Sequence, residues 1–426
     1  MRPAPKDKDG QPVAVPEIEV KERPGYVTQE REYELITPLF GGGVEPGVAD
    51  PVTTIRATEI RGHLRFWWRA TRGGQFDGDL GKMKKAEDKL WGAASAGDSA
   101  FPSQVSVQVI PTNRGRKFIA KNNRGEEVDV FALNSLYGYV AFPLRDRRQH
   151  VIEGVKFKLN IRYPSASRTD IEAALWAWET FGGIGGRTRR GFGAIKLLSI
   201  AGRLQPLPNA NANQVHQLIT QNFATHLAAG ELPPDLPCIS KDSRDLVVTE
   251  TRGDAIDAWK YLIKGLKEFR QKRNQGNQPN RPGRSQWPEP DAIRRITGRA
   301  SARHNRPLSR LDVFPRAEFG LPMVFKFKDD GQGDPDVTML EGADDRAKRL
   351  ASPLILRPLA CANNQAVGLV VILDTPRTPP SGLALNGAPG NPPVTSDLTE
   401  LSDDELNSIA PLNGSEDVLA AFLDTL

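Results

Sequence analysis

Cysteine is nearly absent from this sequence, and its two copies are far apart along the chain. Cys238 and Cys361 are the two cysteines among 426 residues. Two distant cysteines offer neither a disulfide framework nor a cysteine-based zinc cluster. The shortage therefore excludes a secreted, disulfide-stapled fold and fits a reducing, cytoplasmic compartment.

Long apolar runs are missing as well. The longest, residues 366–373, is interrupted by Gly368 and has the length of a strand. A membrane-spanning helix needs about 20 consecutive apolar residues. The N-terminal residues also lack the apolar centre of a signal peptide. We therefore expect no membrane contact.

Charge of one sign is not in large excess, but acids are missing locally. The 57 Lys and Arg against 52 Asp and Glu leave a net charge of +5. Acids are absent from 60–76, 182–196 and 292–310, so positive charge is concentrated in these three stretches. The distribution of charge decides where an anionic partner binds, and it points to these segments.

The second stretch contains six glycines and three arginines within residues 182–193, named here the glycine–arginine loop. Glycine lets a polyanion approach the backbone closely, and arginine presents a fork of donors that matches phosphate. A strand pattern follows the loop and no Gly-Lys-Ser/Thr ends it, which excludes a P-loop or dinucleotide site. The predicted contacts to a nucleic-acid backbone are Gly183, Gly185, Gly186, Arg187, Arg189, Arg190, Gly191 and Phe192. The alternative is a glycine-rich turn with solvated arginines.

The first stretch lies on a helix predicted from about residue 54 to 71. Its arginines recur four, four and three residues apart and form the arginine ridge, which consists of Arg61, Arg65, Arg69 and Arg72. Such neighbours on one side of a helix repel one another. The ridge therefore either faces RNA phosphates or pairs with acids from another segment. If one RNA surface exists, the ridge and the glycine–arginine loop should share a face.

Periodicity along the chain predicts the fold of the first part. Strands are expected at 33–37, 104–110, 155–161 and 194–198, and helices at 54–71 and 169–181. The second helix would open with a capping box of Thr169 and Glu172. The order strand, helix, two strands, helix, strand is the ferredoxin-like arrangement shared with RNA-recognition modules. A short helix near 82–91 and a short strand at 137–142 fall in insertions.

Pro206 and Pro208 mark a boundary before a second block of helices and strands. Helices near 213–228 and 254–272 precede strands at 321–327, 354–361 and 367–373. We therefore expect an α+β protein with two tandem ferredoxin-like (RRM-like) domains, 31–205 and 206–374, with insertions. A flexible N-terminal arm (1–30) and a Pro/Gly-rich linker with an acidic tail (375–426) would flank them, with a short helix at 416–423.

The third acid-poor stretch is arginine-rich in the second block. Its basic residues are Arg294, Arg295, Arg299, Arg303, Arg306 and Arg310, with His304 among them. A solvated face and a surface for RNA or a partner protein both remain open for this stretch.

Three segments resemble the RAMP superfamily: residues 36–43 (ITPLFGGG), residues 60–70 (IRGHLRFWWRA) and the glycine–arginine loop. The Phe-Trp-Trp-Arg helix is similar to one branch of it, the head subunits of the Cmr complex of type III-B CRISPR systems. Residues 266–271, 319–322 and 351–356 are similar to the second half of such subunits. The resemblance covers roughly residues 32–372.

The resemblance implies two tandem ferredoxin-like domains in a protein present once per ribonucleoprotein. It would sit at the end of the backbone filament that holds the guide RNA 3′ part and its paired target RNA, in antiviral defence. The backbone subunit and a neighbouring head subunit would be its protein partners. In this family the backbone subunit cleaves RNA, so we expect a non-catalytic RNA-binding protein without metal or other cofactor. The second block departs from the family in lacking a comparable glycine–arginine loop.

Two other functions stay open. A metal-independent endoribonuclease of the guide-processing RAMP type would need a general base near a 2′-hydroxyl and a basic neighbour for the phosphate. His63 and Arg65 are the candidates for these two roles. A structural filament cap would instead act through protein contacts alone.

Overall fold

The computed structural model describes residues 24–43, 53–93, 101–122, 124–132, 135–141, 151–276, 283–328 and 332–426. Most of the predicted N-terminal arm, residues 1–23, lies outside the described residues. Among the helices of the described segments, none is both long and apolar enough to cross a bilayer.

The first half of the chain alternates strands and helices. Its elements in chain order are β1 (Tyr26–Leu35), β2 (Leu39–Phe40), α1 (Ala57–Arg72), α2 (Leu80–Trp91), β3 (Ser106–Lys117), β4 (Ala120–Lys121), β5 (Glu127–Val128), α3 (Gly138–Ala141), β6 (Val151–Pro164), α4 (Arg168–Phe181), β7 (Ile195–Ile200) and β8 (Arg203–Leu204).

Four long strands of this half form one antiparallel sheet in the spatial order β7–β1–β6–β3. With α1 and α4 as the two crossovers, the strands lie in the order fourth, first, third, second. That is the split βαβ arrangement of ferredoxin-like folds, as the sequence predicts. Strand β2 pairs with the start of β6, and β8 pairs with β7.

The apolar faces of α1, α4 and the sheet pack against each other, because each element has the expected period. The stripe on α1 is buried, as are the inward residues of β6 and α4. These residues are Ile60, Leu64, Trp67, Val155, Phe157, Leu159, Ile161, Ile171, Leu175, Trp178 and Phe181. Each large apolar side chain removed from water contributes roughly 1.5–3 kcal/mol, so this layer fixes the position of α1 and of the loop that follows α4.

The second half contains α5 (Ala212–His226), β9 (Cys238–Ile239), β10 (Leu246–Val248), α6 (Ala255–Arg270), α7 (Glu289–Thr297), β11 (Met323–Phe325), β12 (Thr338–Gly342), β13 (Leu354–Ala360), β14 (Ala366–Asp374), β15 (Leu383–Asn386), β16 (Pro393–Val394), α8 (Asp403–Ser408) and α9 (Val418–Leu423).

Strands of the second half belong to two antiparallel sheets. One has the order β10–β14–β13, with β9 also on β14, and the other has the order β11–β12–β15–β16. The run β10, α6, β13, β14 repeats the first four elements of a ferredoxin-like unit in the matching order. No further strand lies beside β10 among the described residues. The mixed α and β character with antiparallel sheets agrees with the prediction, and the second unit is a partial copy in this part of the chain.

A single hydrophobic core crosses the predicted boundary at Pro206 and Pro208. Val215 and Phe223 of α5 are buried in the same cluster as Trp178 of α4 and Ile355 of β13. The ring of Phe223 also meets that of Trp176 at 6.1 Å. The boundary therefore separates stretches of sequence, while the two halves share their interior.

Two local predictions in the first half are wrong. Residues 138–141 form a helical turn, not a strand. No side chain caps α4, whose N-cap residue is Ser167. Glu172 instead accepts hydrogen bonds from Arg31 (2.5 Å) and Tyr163 (3.0 Å). The guanidinium of Arg31 is buried and needs a charged partner, so Glu172 forms this ion pair and does not cap the helix.

The predicted flexible ends are more ordered than expected. Strand β1 begins at Tyr26, so residues 26–30 belong to the sheet and pair with β6. The predicted linker and acidic tail carry β15, β16, α8 and α9, and Phe422 packs 5.3 Å from Phe269, ring to ring. The tail is folded because its apolar residues complete a second core, with Leu398, Leu406, Ile409, Leu412, Val418 and Leu419 buried. The predicted short helix at its end is confirmed as α9.

Candidate nucleic-acid interface

The arginine ridge meets acids that come from other helices. Arg65 and Arg69 both bind one oxygen of Glu87, with nitrogen–oxygen distances of 2.7 and 2.6 Å. Glu87 lies on α2 and is only 4% exposed, while the two arginines keep 32% and 30% of their side-chain surface exposed. Two cations share one carboxylate, so this part of the ridge keeps a surplus positive charge.

The ends of the ridge differ from each other. Arg72 donates to Asp170 of α4 at 2.9 Å and to the His226 carbonyl oxygen at 3.2 Å. Arg61 is partly exposed, and within the described segments it makes no ion pair. The alternative expectation, that acids from elsewhere pair with the ridge, is thus confirmed for three of its four arginines. Glu87 was missed because nothing in the sequence links it to a helix 20 residues away.

Glycines let the glycine–arginine loop fold tightly against its surroundings. A Cβ on Gly193 would lie 1.9 Å from the Ile184 carbonyl oxygen, and one on Gly185 would lie 2.7 Å from that of Phe40. Both residues have positive φ, 60° and 84° respectively. The Gly185 amide donates to Glu59 of α1 at 2.6 Å. Side chains at these two positions would collide with backbone, so glycine is required for the loop to fold at all.

The loop arginines bind backbone carbonyls. Arg187 donates from Nε to Val140 at 2.9 Å, and Arg189 donates to Ser352. Arg190 donates to Leu354 at 2.8 Å and to Phe319 at 3.1 Å. The acceptors of Arg189 and Arg190 belong to the second half of the chain, so the loop ties the two halves together.

Gly191 and Phe192, both predicted to touch RNA, are buried. The ring of Phe192 lies 4.8 Å from that of Trp259 on α6 and 5.0 Å from that of Phe40. A Cβ on Gly191 would come within 2.5 Å of the Trp259 ring. The Trp259 indole donates to the Arg190 carbonyl oxygen at 2.7 Å. In this fold the two residues position the loop, and their surface is not available to a ligand.

Positive charge is concentrated around the loop, because the guanidinium groups of Arg187 and Arg190 lie close to that of Arg270. Burial, together with Arg270 and Arg187, lowers the pKa of Arg190 to about 9. Burial and Arg270 also lower the pKa of Arg187. Arg270, at the end of α6, donates to the Tyr139 hydroxyl at 3.1 Å. The sequence did not identify Arg270 or Tyr139 as part of this region.

The ridge and the residues that contact the loop lie on different sides of α1. Successive residues of a helix are about 100° apart, which places Glu59 and Phe66 roughly 105–125° around α1 from the centre of the ridge. Glu59 binds the loop amide of Gly185, and the Arg189 guanidinium lies 5.5 Å from the centre of the Phe66 ring. Residues Thr58 and Gly62 between these two sides are exposed. The two basic elements therefore flank one exposed strip of α1.

The endoribonuclease candidates contact different groups. His63 Nε2 lies 3.6 Å from Glu59 Oε1 on the loop side of α1. Arg65 turns towards Glu87. A general base and a phosphate-binding cation must reach the same scissile group, and these two side chains face apart.

The sheet surface facing away from α1 and α4 is charge-paired. Lys158 binds Glu30 at 3.0 Å and Glu32 at 3.1 Å, and Glu34 binds Lys196 at 2.8 Å. RNA-recognition modules stack bases on aromatic residues at this surface. Here the aromatic rings of Tyr33 and Phe157 are buried, with Tyr33 5.3 Å from the Trp178 ring. The outer face at the middle of β1 and β6 is therefore charged, while the half-buried Tyr26 at the start of β1 lies 5.9 Å from the Arg162 guanidinium.

The third arginine-rich stretch is partly neutralised. Arg294 binds Asp334 at 3.1 Å, and Arg295 binds Asp312 at 2.5 Å. Arg299 pairs with Asp336, and His304 lies 2.8 Å from Asp334. Arg303, Arg306 and Arg310 are exposed. The solvated face and the contact surface both stay open for these last three.

Comparison with known proteins relates this geometry to a family. Residues 32–196 match the profile of the RAMP superfamily. CRISPR system Cmr subunit Cmr1-2 of Pyrococcus furiosus is 26% identical over 181 residues, which span 39% of this chain and 92% of that protein. Subunit Cmr1-1 of the same organism is 26% identical over 151 residues, spanning 34% of this chain and 40% of that protein.

Two solved structures are also similar. The apo crystal structure of Cmr1 from Pyrococcus furiosus gives a TM-score of 0.44 at 18% identity, covering 82% of this chain and 88% of that one. A type III-B Cmr-beta complex bound to cognate target RNA contains a chain with a TM-score of 0.46 at 13% identity, covering 81% and 94%. The family match and the two curated relatives confirm the resemblance: residues 32–196 match the RAMP superfamily, and the chain is similar to Cmr1 subunits of the Cmr complex.

Proposed function

We propose that the chain is a non-catalytic, RNA-binding subunit of a type III-B CRISPR effector ribonucleoprotein. It holds the guide RNA 3′ part or the paired target RNA at the end of the backbone filament, in antiviral defence. The backbone subunit and a neighbouring head subunit are its proposed protein partners. The similarity to the Cmr1 subunits supports this role, and the basic surface around α1 is where we place the RNA.

The observation that carries the proposal is the shared carboxylate under the arginine ridge. Glu87 engages Nε and Nη2 of Arg65 and Nη1 of Arg69. A guanidinium has five N–H donors, so each fork keeps donors that point away from Glu87. Both side chains are about one-third exposed, and Arg61 next to them is partly exposed. This surface combines fixed geometry with surplus charge, which suits an RNA backbone.

Glu87 also orients the two arginines. A long side chain loses rotamer freedom when it binds a phosphate, and that loss weakens binding. Arg65 and Arg69 are already held by the buried carboxylate, so less freedom remains to be lost. We therefore expect the ridge to contribute more per arginine than the exposed Arg303, Arg306 and Arg310.

Salt titration of RNA binding tests the proposal. The logarithm of the binding constant falls linearly with the logarithm of salt concentration, with a slope of about 0.7 per single-strand phosphate contact. The double variant Arg65→Gln/Arg69→Gln should lower the slope by roughly 1.4 if both contact phosphates. Arg244→Gln is the matched control, because Arg244 is 89% exposed and bonded to Asp242. A slope equal to that of the unsubstituted chain would contradict RNA binding at the ridge.

Experiments on the isolated chain also distinguish this function from the two alternatives, a filament cap and an endoribonuclease. A filament cap without RNA contact predicts no salt-sensitive affinity in the isolated chain. An endoribonuclease predicts discrete cleavage of repeat-containing RNA in EDTA, lost in His63→Ala. RNA binding without cleavage, and with a salt slope that depends on the ridge, is the result we expect.

A further inference from the structure

Three arginines converge where the first and second halves meet, and all of their acceptors are neutral. Arg187 donates to the Val140 carbonyl oxygen at 2.9 Å, and Arg190 donates to the Leu354 carbonyl oxygen at 2.8 Å. Arg270 donates to the Tyr139 hydroxyl at 3.1 Å. Over the described residues, no carboxylate forms an ion pair with any of these three arginines.

The three guanidinium groups also act on each other. Arg270 and Arg187 add to burial in lowering the pKa of Arg190, and Arg270 adds to burial in lowering that of Arg187. Like charges gathered in a partly buried place are costly unless an anion neutralises them. The ridge, by contrast, has Glu87 and Asp170. The cluster at the junction carries positive charge that no carboxylate of the described residues neutralises.

A buried donor of the cluster has no acceptor in the structure. The Nε of Arg270 is buried and has no hydrogen-bond partner. A buried N–H without an acceptor is rare in folded proteins and calls for an explanation, such as a role in binding an anion. The other Arg270 contacts are weak in polar terms: Nη2 lies 3.6 Å from the Met323 sulfur, and the guanidinium lies 5.3 Å from the centre of the Phe319 ring.

We propose that Arg187, Arg190 and Arg270 form a binding site for a phosphate dianion at the junction of the two halves. Guanidinium forks match phosphate oxygens, and a tetrahedral group can accept from several forks at once. Tyr139 positions Arg270 for this contact. The site differs from the ridge in using residues from both halves of the chain.

A terminal phosphate of RNA is the source that fits best. A phosphomonoester carries about −1.5 to −2 charge near neutral pH, whereas each internal phosphodiester carries a single charge. Three cations without a carboxylate favour the group with the larger charge. The choice of an RNA end rests on the proposed function, whereas the phosphate site itself does not. Free phosphate has the same chemistry, and the experiment distinguishes the two sources.

The test uses the full chain, with Arg270→Gln as the site variant and Arg244→Gln as the control. Thermal unfolding is measured in sodium phosphate and in sodium chloride at equal ionic strength. Phosphate stabilises many proteins by exclusion from their surface, and that part should be equal in all variants. We expect an additional increase in Tm that Arg270→Gln loses and Arg244→Gln keeps.

The second arm compares RNAs of one sequence that carry a 5′-phosphate, a 3′-phosphate or hydroxyls at both ends. One of the two phosphorylated RNAs should bind about tenfold tighter than the RNA with hydroxyls at both ends. A hydrogen bond between charged groups contributes a tenfold or larger increase in affinity. Arg270→Gln should abolish this preference. If that variant does not fold, Arg187→Gln takes its place, because Arg187 has a single carbonyl bond to lose.

Each outcome decides the proposal. An end preference lost in Arg270→Gln supports an RNA end as ligand, and a Tm effect alone supports free phosphate. Equal phosphate effects in Arg270→Gln and in the unsubstituted chain, or no effect in either, would overturn the site. Salt-sensitive RNA binding with neither an end preference nor a phosphate effect on Tm overturns only this site. A phosphate effect without any RNA binding overturns only the proposed function.

Discussion

The arginine ridge and the glycine–arginine loop contain the same residue type but use it differently. On the ridge, Arg65 and Arg69 bind a buried carboxylate and remain partly exposed. In the loop, Arg189 and Arg190 bind backbone carbonyls of the second half. Positive charge in a sequence is therefore not equivalent to positive charge available to a ligand. The difference is whether a guanidinium forms hydrogen bonds that join parts of the fold, as in the loop, or stays partly exposed at the surface, as on the ridge.

Phe192→Ala should show the largest effect and would test the structural side of this comparison. The Phe192 ring is fully buried between Phe40 and Trp259. Removing a buried aromatic ring costs about 3–5 kcal/mol of unfolding free energy. Chemical denaturation measures the loss. Phe101→Ala is the control, because that ring is 47% exposed. Equal stabilities of the two variants would show that the loop does not anchor the halves.

Glu87→Gln should have an intermediate effect on stability and an opposite effect on binding. The buried carboxylate forms ion pairs with two arginines, so its loss should cost about 1–2 kcal/mol, reduced by the exposure of Arg65 and Arg69. RNA affinity at low salt should rise, because the ridge gains net positive charge. Denaturation and RNA titration measure the two effects. Asp88→Asn, the neighbour that pairs with the exposed Lys84, is the control. Weaker RNA binding would mean that Glu87 matters more by orienting the arginines.

Arg61→Gln should have the smallest effect on the fold. Arg61 is partly exposed and forms no ion pair in the described part of the chain, so its replacement should change stability by less than about 0.5 kcal/mol. The salt slope of RNA binding should fall by about 0.7 if Arg61 contacts a phosphate. A large loss of stability without any change in slope would remove the distinction between the ridge and the loop.

Much of the first half could be predicted because its signals are local. The alternation in β6 and the apolar stripe of α1 lie within single elements, and the order of elements limits the topology of the sheet. The pairing of Glu87 with the ridge depends on how α2 packs, and no periodicity encodes that. The carbonyl partners of Arg189 and Arg190 in the second half lie 129–164 residues further along the chain. A charge pattern alone does not show whether such partners exist.

The C-terminal segment shows a different reason for a failed prediction. Its many prolines, glycines and acids are typical of a linker, and they obscured the apolar residues Leu406, Ile409 and Leu412. These residues are buried because the second core is incomplete without them. Composition averages over a segment, whereas burial is decided at individual positions.

The bonds from the loop to the second half also have a consequence for the timing of synthesis. Arg190 and its acceptor Leu354 are 164 residues apart in the chain. Ribosomes add about 5–20 residues per second, so the loop emerges roughly 8–30 seconds before its partner. During that interval Arg189 and Arg190 lack the carbonyl acceptors that they bind in the folded chain. The loop therefore reaches its final set of contacts only after most of the second half has been synthesised.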